Sequence, residues 1–310
     1  MKEIGGFFQL EINQEKDYYP KAIKLNSARN CLRYIIRAYK IKKIWAPAYT
    51  CPVVWEAIHQ EGCSINFYSI DANFLPTMTF SKQDYILYTN YFGVCGKNVD
   101  ILSAMYPNVI IDNSQSFYSA PKGLASFNSP RKFFGVPDGG YLFMNDEIPR
   151  LDLLRDNSLE RFSHLVRRIE LGASCAYADF RREDSLLDNA PICKMSLLTE
   201  TLLQGIDYKK KKERRNQNFE YLSKNLKKYN LLNLESTQGD VPMVYPLLIK
   251  KADIRQYLIN NKIYVATYWK DQKDTEYGKQ LEEFLVPLPI DQRYSLTEMD
   301  FMLKLLSYVI

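Results

Sequence analysis

Hydrophobic and polar positions change period several times along the chain, and those changes mark out its elements. Between Ser27 and Tyr39, apolar Leu32, Ile35, Ile36 and Tyr39 recur three and four apart, which predicts an amphipathic helix with Ser27 as its N-cap. Short apolar runs at Lys43 to Ala46, Ile65 to Ile70, Tyr85 to Tyr88, Val109 to Ile111 and Tyr141 to Met144 predict strands. Helical stretches at Pro52 to Glu61 and Asp100 to Tyr106 fall between them. Alternation of this kind predicts an α/β fold whose central sheet is mostly parallel and covered by helices.

Further along, Arg150 to Arg168 reads as an amphipathic helix and Ser196 to Lys228 as one or two long helices. A different block follows: a strand at Pro242 to Ile249, a helix at Asp253 to Asn260, a strand at Ile263 to Tyr268 and a closing helix at Ser295 to Val309. These elements predict a small C-terminal α/β domain, residues 206–310, after a large domain formed by residues 1–205. No internal repeat is present.

Composition adds limits. With 310 residues, 46% of them hydrophobic, the chain can bury a sizeable core. It has no apolar run of about eighteen residues, and acidic residues interrupt the N-terminus where a secretory segment would be unbroken. A cytoplasmic protein with no membrane partner is expected. Six cysteines without a CxxC pair predict reduced thiols, and His59 and His164 are too isolated to suggest a metal. The net charge of +5 is mild. Its densest cluster, Lys209 to Arg215, predicts the solvated face of a helix, because Ile206, Phe219, Leu222 and Leu226 continue an apolar stripe through it. Nucleic acid is therefore not an expected partner.

Chemistry concentrates between Val109 and Met144. An apolar strand ends on Asp112, where ligands bind in open α/β sheets. Lys132 sits within SPRKFFGVPDGGY, between hydrophobic and glycine-rich flanks that are unusual company for a solvated lysine. A lysine amine can hold an aldehyde cofactor as a Schiff base and, once released, move a proton between two carbons. A carboxylate at Asp112 could pair with a protonated pyridine nitrogen. Ser27, Ala28 and Arg29 at the start of the first helix offer free amides for a phosphate, and Ser129 offers a hydroxyl. Together these residues suggest pyridoxal phosphate.

Five blocks in order resemble the DegT/DnrJ/StrS family of pyridoxal-phosphate sugar aminotransferases: LNSARNCL, IWAPAYTC, NYFG, IIDNSQS and SPRKFFGVPDGG. The resemblance implies the fold type I of aspartate aminotransferase. It also implies that Lys132 carries the cofactor, that Asp112 partners the ring nitrogen and that Gln115 contacts the ring or its hydroxyl. Ala28 and Arg29 would give phosphate-binding amides, with Ser129 ranked above Ser126 as the phosphate hydroxyl. Where many members place a stacking aromatic, this chain has Cys51, which leaves Tyr49, Tyr91 or Phe92 to cover the ring. The family's G-x-N-x-R-M segment, donated by a partner subunit, stands here as Ala190 to Met195 without its Asn and Arg.

The implied activity is transfer of nitrogen from an amino acid such as glutamate to a keto group of a nucleotide-linked sugar, in surface polysaccharide or amino-sugar biosynthesis. A homodimer with a shared active site is implied with it. Dehydrating relatives replace the lysine with histidine, so Lys132 argues for amino transfer. Two alternatives stand beside this reading: a non-catalytic binding or regulatory protein of the same fold, supported by the altered 190–195 segment, and an enzyme acting on a non-sugar carbonyl compound.

Overall fold

Seven strands form the central sheet: β1 (Ile23–Leu25), β2 (Lys43–Pro47), β3 (Ser64–Tyr68), β4 (Ile86–Thr89), β5 (Val109–Asn113), β6 (Ala125–Asn128) and β7 (Gly140–Met144). Their spatial order is β1-β7-β6-β5-β4-β2-β3. Pairs among β2 to β6 run parallel, whereas β7 is antiparallel to both β6 and β1. The computed structural model describes residues 6–144, 147–234, 236–237, 239–270 and 276–310.

Helices α1 (Ala28–Ala38), α2 (Pro52–Gln60) and α3 (Gly96–Met105) lie between these strands. Along β5 every residue is buried, as a strand covered on both faces requires. Ile110 packs with Leu32, Ile35 and Ile36 of α1, while Val109 and Ile111 belong to the core that continues into the C-terminal half. Among the described residues, no helix is long and apolar enough to cross a membrane.

The remaining helices are α4 (Ser163–Ser185), α5 (Leu197–Gln204), α6 (Tyr208–Leu226), α7 (Ile254–Asn260), α8 (Glu276–Phe284) and α9 (Leu296–Ser307). A second sheet pairs β8 (Val244–Leu248) with β9 (Leu285–Pro289) in antiparallel fashion. Leu222, Leu226, Leu247, Leu258, Leu288 and Met302 join the same hydrophobic cluster as Tyr91 and Ile111, so one core spans both halves.

Three expectations are corrected. Arg150 to Arg168 is not one helix: Lys194 pairs with Leu154 and Arg155 in extended backbone, and the helix begins only at Ser163. It then reverses at Gly172 (φ +80, ψ 176), so that Ser163 and His164 near its start hydrogen-bond Glu183 near its end. The second correction concerns Ile263 to Tyr268, which alternates like a strand but pairs with none; β9 occupies the place beside β8 instead. Lastly, Arg215 is not on the solvated face of α6. It is 1% exposed and shares the inward stripe of Phe219 and Leu222.

Candidate active site

The ends of β2, β4 and β5 lie side by side in the sheet. The chain leaves β2 at Pro47 and passes Tyr49 and Thr50 before Cys51, the N-cap of α2. At the end of β4, the Thr89 hydroxyl is 3.3 Å from that of Thr50. Asp112 on β5 stands between Thr89 and Phe127 of the neighbouring strands. It follows Ile110 by two along the strand and so shares the α1 face of the sheet with it.

Asp112 accepts a 2.8 Å hydrogen bond from the Ser114 N–H and is 5% exposed. Burial raises its carboxyl above the ordinary range, and the positive charge of Lys132 is the largest influence opposing that rise. Burial also pushes up the Cys51 thiol; there Lys132 pulls down and Asp112 adds to the rise. The turn that carries Lys132 follows β6, whose end pairs with the end of β5 beside Asp112. The exposed Lys132 ends a short 3-10 turn, Pro130–Lys132, between buried Pro130 and Phe133. Ser129 caps that turn and is buried. Ser126 pairs in register with Ile111, which turns it to the opposite face of the sheet from Asp112.

The start of α1 adjoins the glycine pair. The Ser27 hydroxyl accepts from the Asn30 N–H at 3.1 Å, an N-cap, and Ala28 and Arg29 fill the first turn, whose amides have no intrahelical partner. Gly139 donates to the Asn26 carbonyl at 2.9 Å. A Cβ on Gly140 would stand 2.6 Å from the Ser27 carbonyl and 2.7 Å from Cys31 Sγ. Overpacking of that kind costs about 1–3 kcal/mol. Gly140→Ala should therefore lower the urea midpoint of unfolding; an unchanged midpoint would contradict the close approach.

The aromatic wall is tied by hydrogen bonds rather than left free. Tyr91 donates its hydroxyl to the Tyr49 carbonyl at 2.7 Å, and Tyr49 donates to the Tyr268 carbonyl at 2.8 Å. The Tyr49 ring meets Tyr91 at 5.9 Å and Trp269 at 5.0 Å. Phe92 has φ +57, and Gly93 follows at φ +74, where a Cβ would lie 2.6 Å from the Gln115 carbonyl. The Gln115 side-chain oxygen accepts from the Phe92 N–H at 2.6 Å, so this residue fixes the NYFG turn through its oxygen.

Tyr268 and Trp269 escaped the sequence reading. They come from the C-terminal half, and burial, aided by the Cys51 thiol, raises the Tyr268 phenol. The altered 190–195 segment is held within the same chain. Asn30 donates to the Pro191 carbonyl at 2.8 Å, Asn26 to the same carbonyl at 3.1 Å and Arg33 to Ala190 at 3.0 Å. Arg29 reaches the Leu187 carbonyl at 2.7 Å and Asp188 at 3.0 Å. The polar side chains of Arg29, Asn30 and Arg33 on α1, with Asn26 just before its cap, could have been read as one face, since 26, 29, 30 and 33 are three and four apart.

The sequence matches no protein-family profile and no curated protein. Its fold does match solved structures. A Streptococcus pneumoniae protein described as a sugar aminotransferase, in its PMP form, superposes with a TM-score of 0.64 at 14% identity, over 94% of this chain and 86% of that one. A DegT DnrJ EryC1 StrS aminotransferase from Brucella abortus gives 0.64 at 15% identity, over 93% and 85%. The E coli GDP-4-keto-6-deoxy-D-mannose-3-dehydratase with bound hydrated PLP gives 0.63 at 16%, over 92% and 87%. At these identities the likeness establishes the fold, the α/β architecture of type I expected from the sequence.

Proposed function

We propose that this chain is a pyridoxal-phosphate-dependent aminotransferase that moves an amino group from an amino acid such as glutamate to a keto group of a nucleotide-linked sugar. A role in making amino sugars for surface polysaccharide goes with that reading. The observation that carries it is the placement of the buried Asp112 at the end of β5 and of the Lys132 turn just beyond the paired end of β6, with the positive charge of Lys132 opposing the rise that burial imposes on the Asp112 carboxyl. The residues fit the cofactor. Ala28 and Arg29 supply first-turn amides and Ser129 a hydroxyl for its phosphate, and Asp112 supplies a buried carboxylate for its ring nitrogen. Fold analogy with the aminotransferases above supports the same class.

Bound there, the cofactor supplies an aldehyde for the lysine amine and a ring that withdraws electrons from the substrate carbon. Lys132 would hold it covalently, and its released Nζ would take the proton from the α-carbon of the substrate and deliver it to the carbon that had carried the aldehyde. Asp112 would keep the ring nitrogen protonated. Gln115 and Tyr91 hold the NYFG turn and Tyr49 in place, and Tyr49 in turn holds the Tyr268 backbone.

A homodimer with a shared site is part of the proposal. Its support is the exposed apolar surface of α4, where Ile169 is 83% exposed, joined by Leu171 and Tyr177. Cytoplasmic location is part of it too, in keeping with six unpaired cysteines.

Half-reaction spectra test the activity. Pyridoxal phosphate added to the protein should give the long-wavelength absorbance of a lysine-bound cofactor, glutamate should convert it to the amine form, and a nucleotide-linked ketosugar should restore it. A cofactor that binds but responds to no amino donor in a panel would remove the enzyme reading and leave the binding protein.

A further inference from the structure

Among the described residues, Arg215 is the largest fully buried side chain and no carboxylate lies within ion-pairing distance of it. Burial pushes its guanidinium down to about 10, with Asp291 opposing that fall, so it stays charged near neutrality. A buried charge without a direct partner is expensive, and well-packed apolar residues often replace even paired ones without loss. Stability alone therefore does not account for an arginine here. Its hydrogen bonds among the described residues go to uncharged oxygens: Gln292 Oε1 at 2.8 Å, the Met243 carbonyl at 3.1 Å, the Pro242 carbonyl at 3.4 Å and the Phe133 carbonyl at 3.5 Å.

Those oxygens belong to the two sides of the cleft. Phe133 follows Lys132 directly. Its carbonyl also accepts from Gln292 Nε2 at 2.6 Å, and its ring lies under the guanidinium at 4.4 Å. Within the turn, the Phe133 and Phe134 amides both donate to the Pro130 carbonyl, at 3.0 and 2.8 Å. On the other side, the Met243 N–H donates to the Phe92 carbonyl at 2.8 Å, within the turn that Gln115 fixes. One planar fork thus joins the exit of the lysine turn to the segment before β8 that holds the NYFG turn.

We infer that Arg215 is a positioning residue for Lys132: it fixes the backbone after the lysine against the C-terminal half and so aims the lysine's side chain into the cleft. Lys132 is exposed, with a long flexible stem, and the direction of its Cα–Cβ bond decides where the amine spends its time. This rests on the reading of Lys132 as the cofactor-holding residue. Arg215→Lys keeps the charge and loses the fork, Arg215→Met loses both, and Gln292→Leu removes the second bond to Phe133.

The test reads the pH midpoint of the lysine-bound cofactor's absorbance, the rate of the glutamate half-reaction, and amide hydrogen exchange at residues 130–136 in cofactor-free protein. Misplacement by about 1 Å costs about 100-fold in rate. Arg215→Lys should slow the half-reaction by about that factor, shift the absorbance midpoint and speed exchange in the turn, while Kd for glutamate changes far less. Should Arg215→Met fail to fold, Gln292→Leu should show the same changes in smaller measure. Wild-type midpoint and rate in folded Arg215→Lys and Gln292→Leu would overturn the inference. Absorbance that persists in Lys132→Ala would instead overturn the reading it rests on.

Discussion

Lys132→Ala should bind pyridoxal phosphate without the long-wavelength absorbance and should lose the half-reaction with glutamate by about 1,000-fold or more, since a positioned acid–base group contributes about 100- to 10,000-fold and the covalent hold is lost with it. The fold should be untouched. Lys132 is exposed and forms no ion pair among the described residues, and substitutions of that kind usually fall within about 0.5 kcal/mol. Absorbance titration, single-turnover mixing and a thermal melt on the same preparation separate these effects. Added methylamine should restore part of the rate by replacing the missing amine. If the variant kept its absorbance, another lysine would hold the cofactor, and the convergence of Lys132 with Asp112 would be an ordinary electrostatic contact.

How far the site could be read from the chain differs from residue to residue, for physical reasons. The placement of Asp112 on an apolar strand and of Lys132 in a turn was legible because their local patterns are strong: a carboxylate ends an apolar run, and a lysine lies between apolar and glycine-rich flanks. Tyr268 was not. It reaches the cleft through a carbonyl contact with Tyr49 that spans 219 residues, and no local pattern encodes so long a closure. Similarly, α1 was legible because its apolar residues fill one face, whereas β6 reads ASFN, with a single large apolar side chain, and β9 reads LVPLP. Proline removes a ladder donor and usually argues against a strand; a two-stranded ribbon accommodates it because each strand has an open edge. Ile263 to Tyr268 shows the converse error. Alternation makes a segment fit for a sheet, but a neighbouring strand makes it one. Arg215 was misread because charge was weighed above periodicity, although its spacing from Phe219 and Leu222 places it inside.

Opposite changes in stability and activity are expected from Asp112→Asn. In the cofactor-free protein, burial raises the Asp112 carboxyl, with Lys132 and the Ser114 hydrogen bonds opposing. A raised acid pKa means that the folded state binds more protons than the unfolded one between the two pKa values. Stability therefore falls as pH climbs from about 4, the unfolded aspartate value, through the folded one. Asparagine keeps the oxygen that accepts from Ser114 and removes the charge, so that decline should vanish, and the variant should match or exceed the wild type in urea at neutral pH. Activity should move the other way. Without a carboxylate the ring nitrogen loses the partner that keeps it protonated, and the half-reaction should slow by about 100-fold or more, the size of effect typical of a lost electrostatic stabiliser. Cofactor binding should also weaken with pH in the variant, because a proton on the ring nitrogen is no longer held. Urea titrations across pH and the half-reaction rate measure the two effects independently. A variant that is less stable and equally fast would place Asp112 in the architecture of the strand end, where it turns the chain through Ser114, and would leave the ring nitrogen without a partner in this fold.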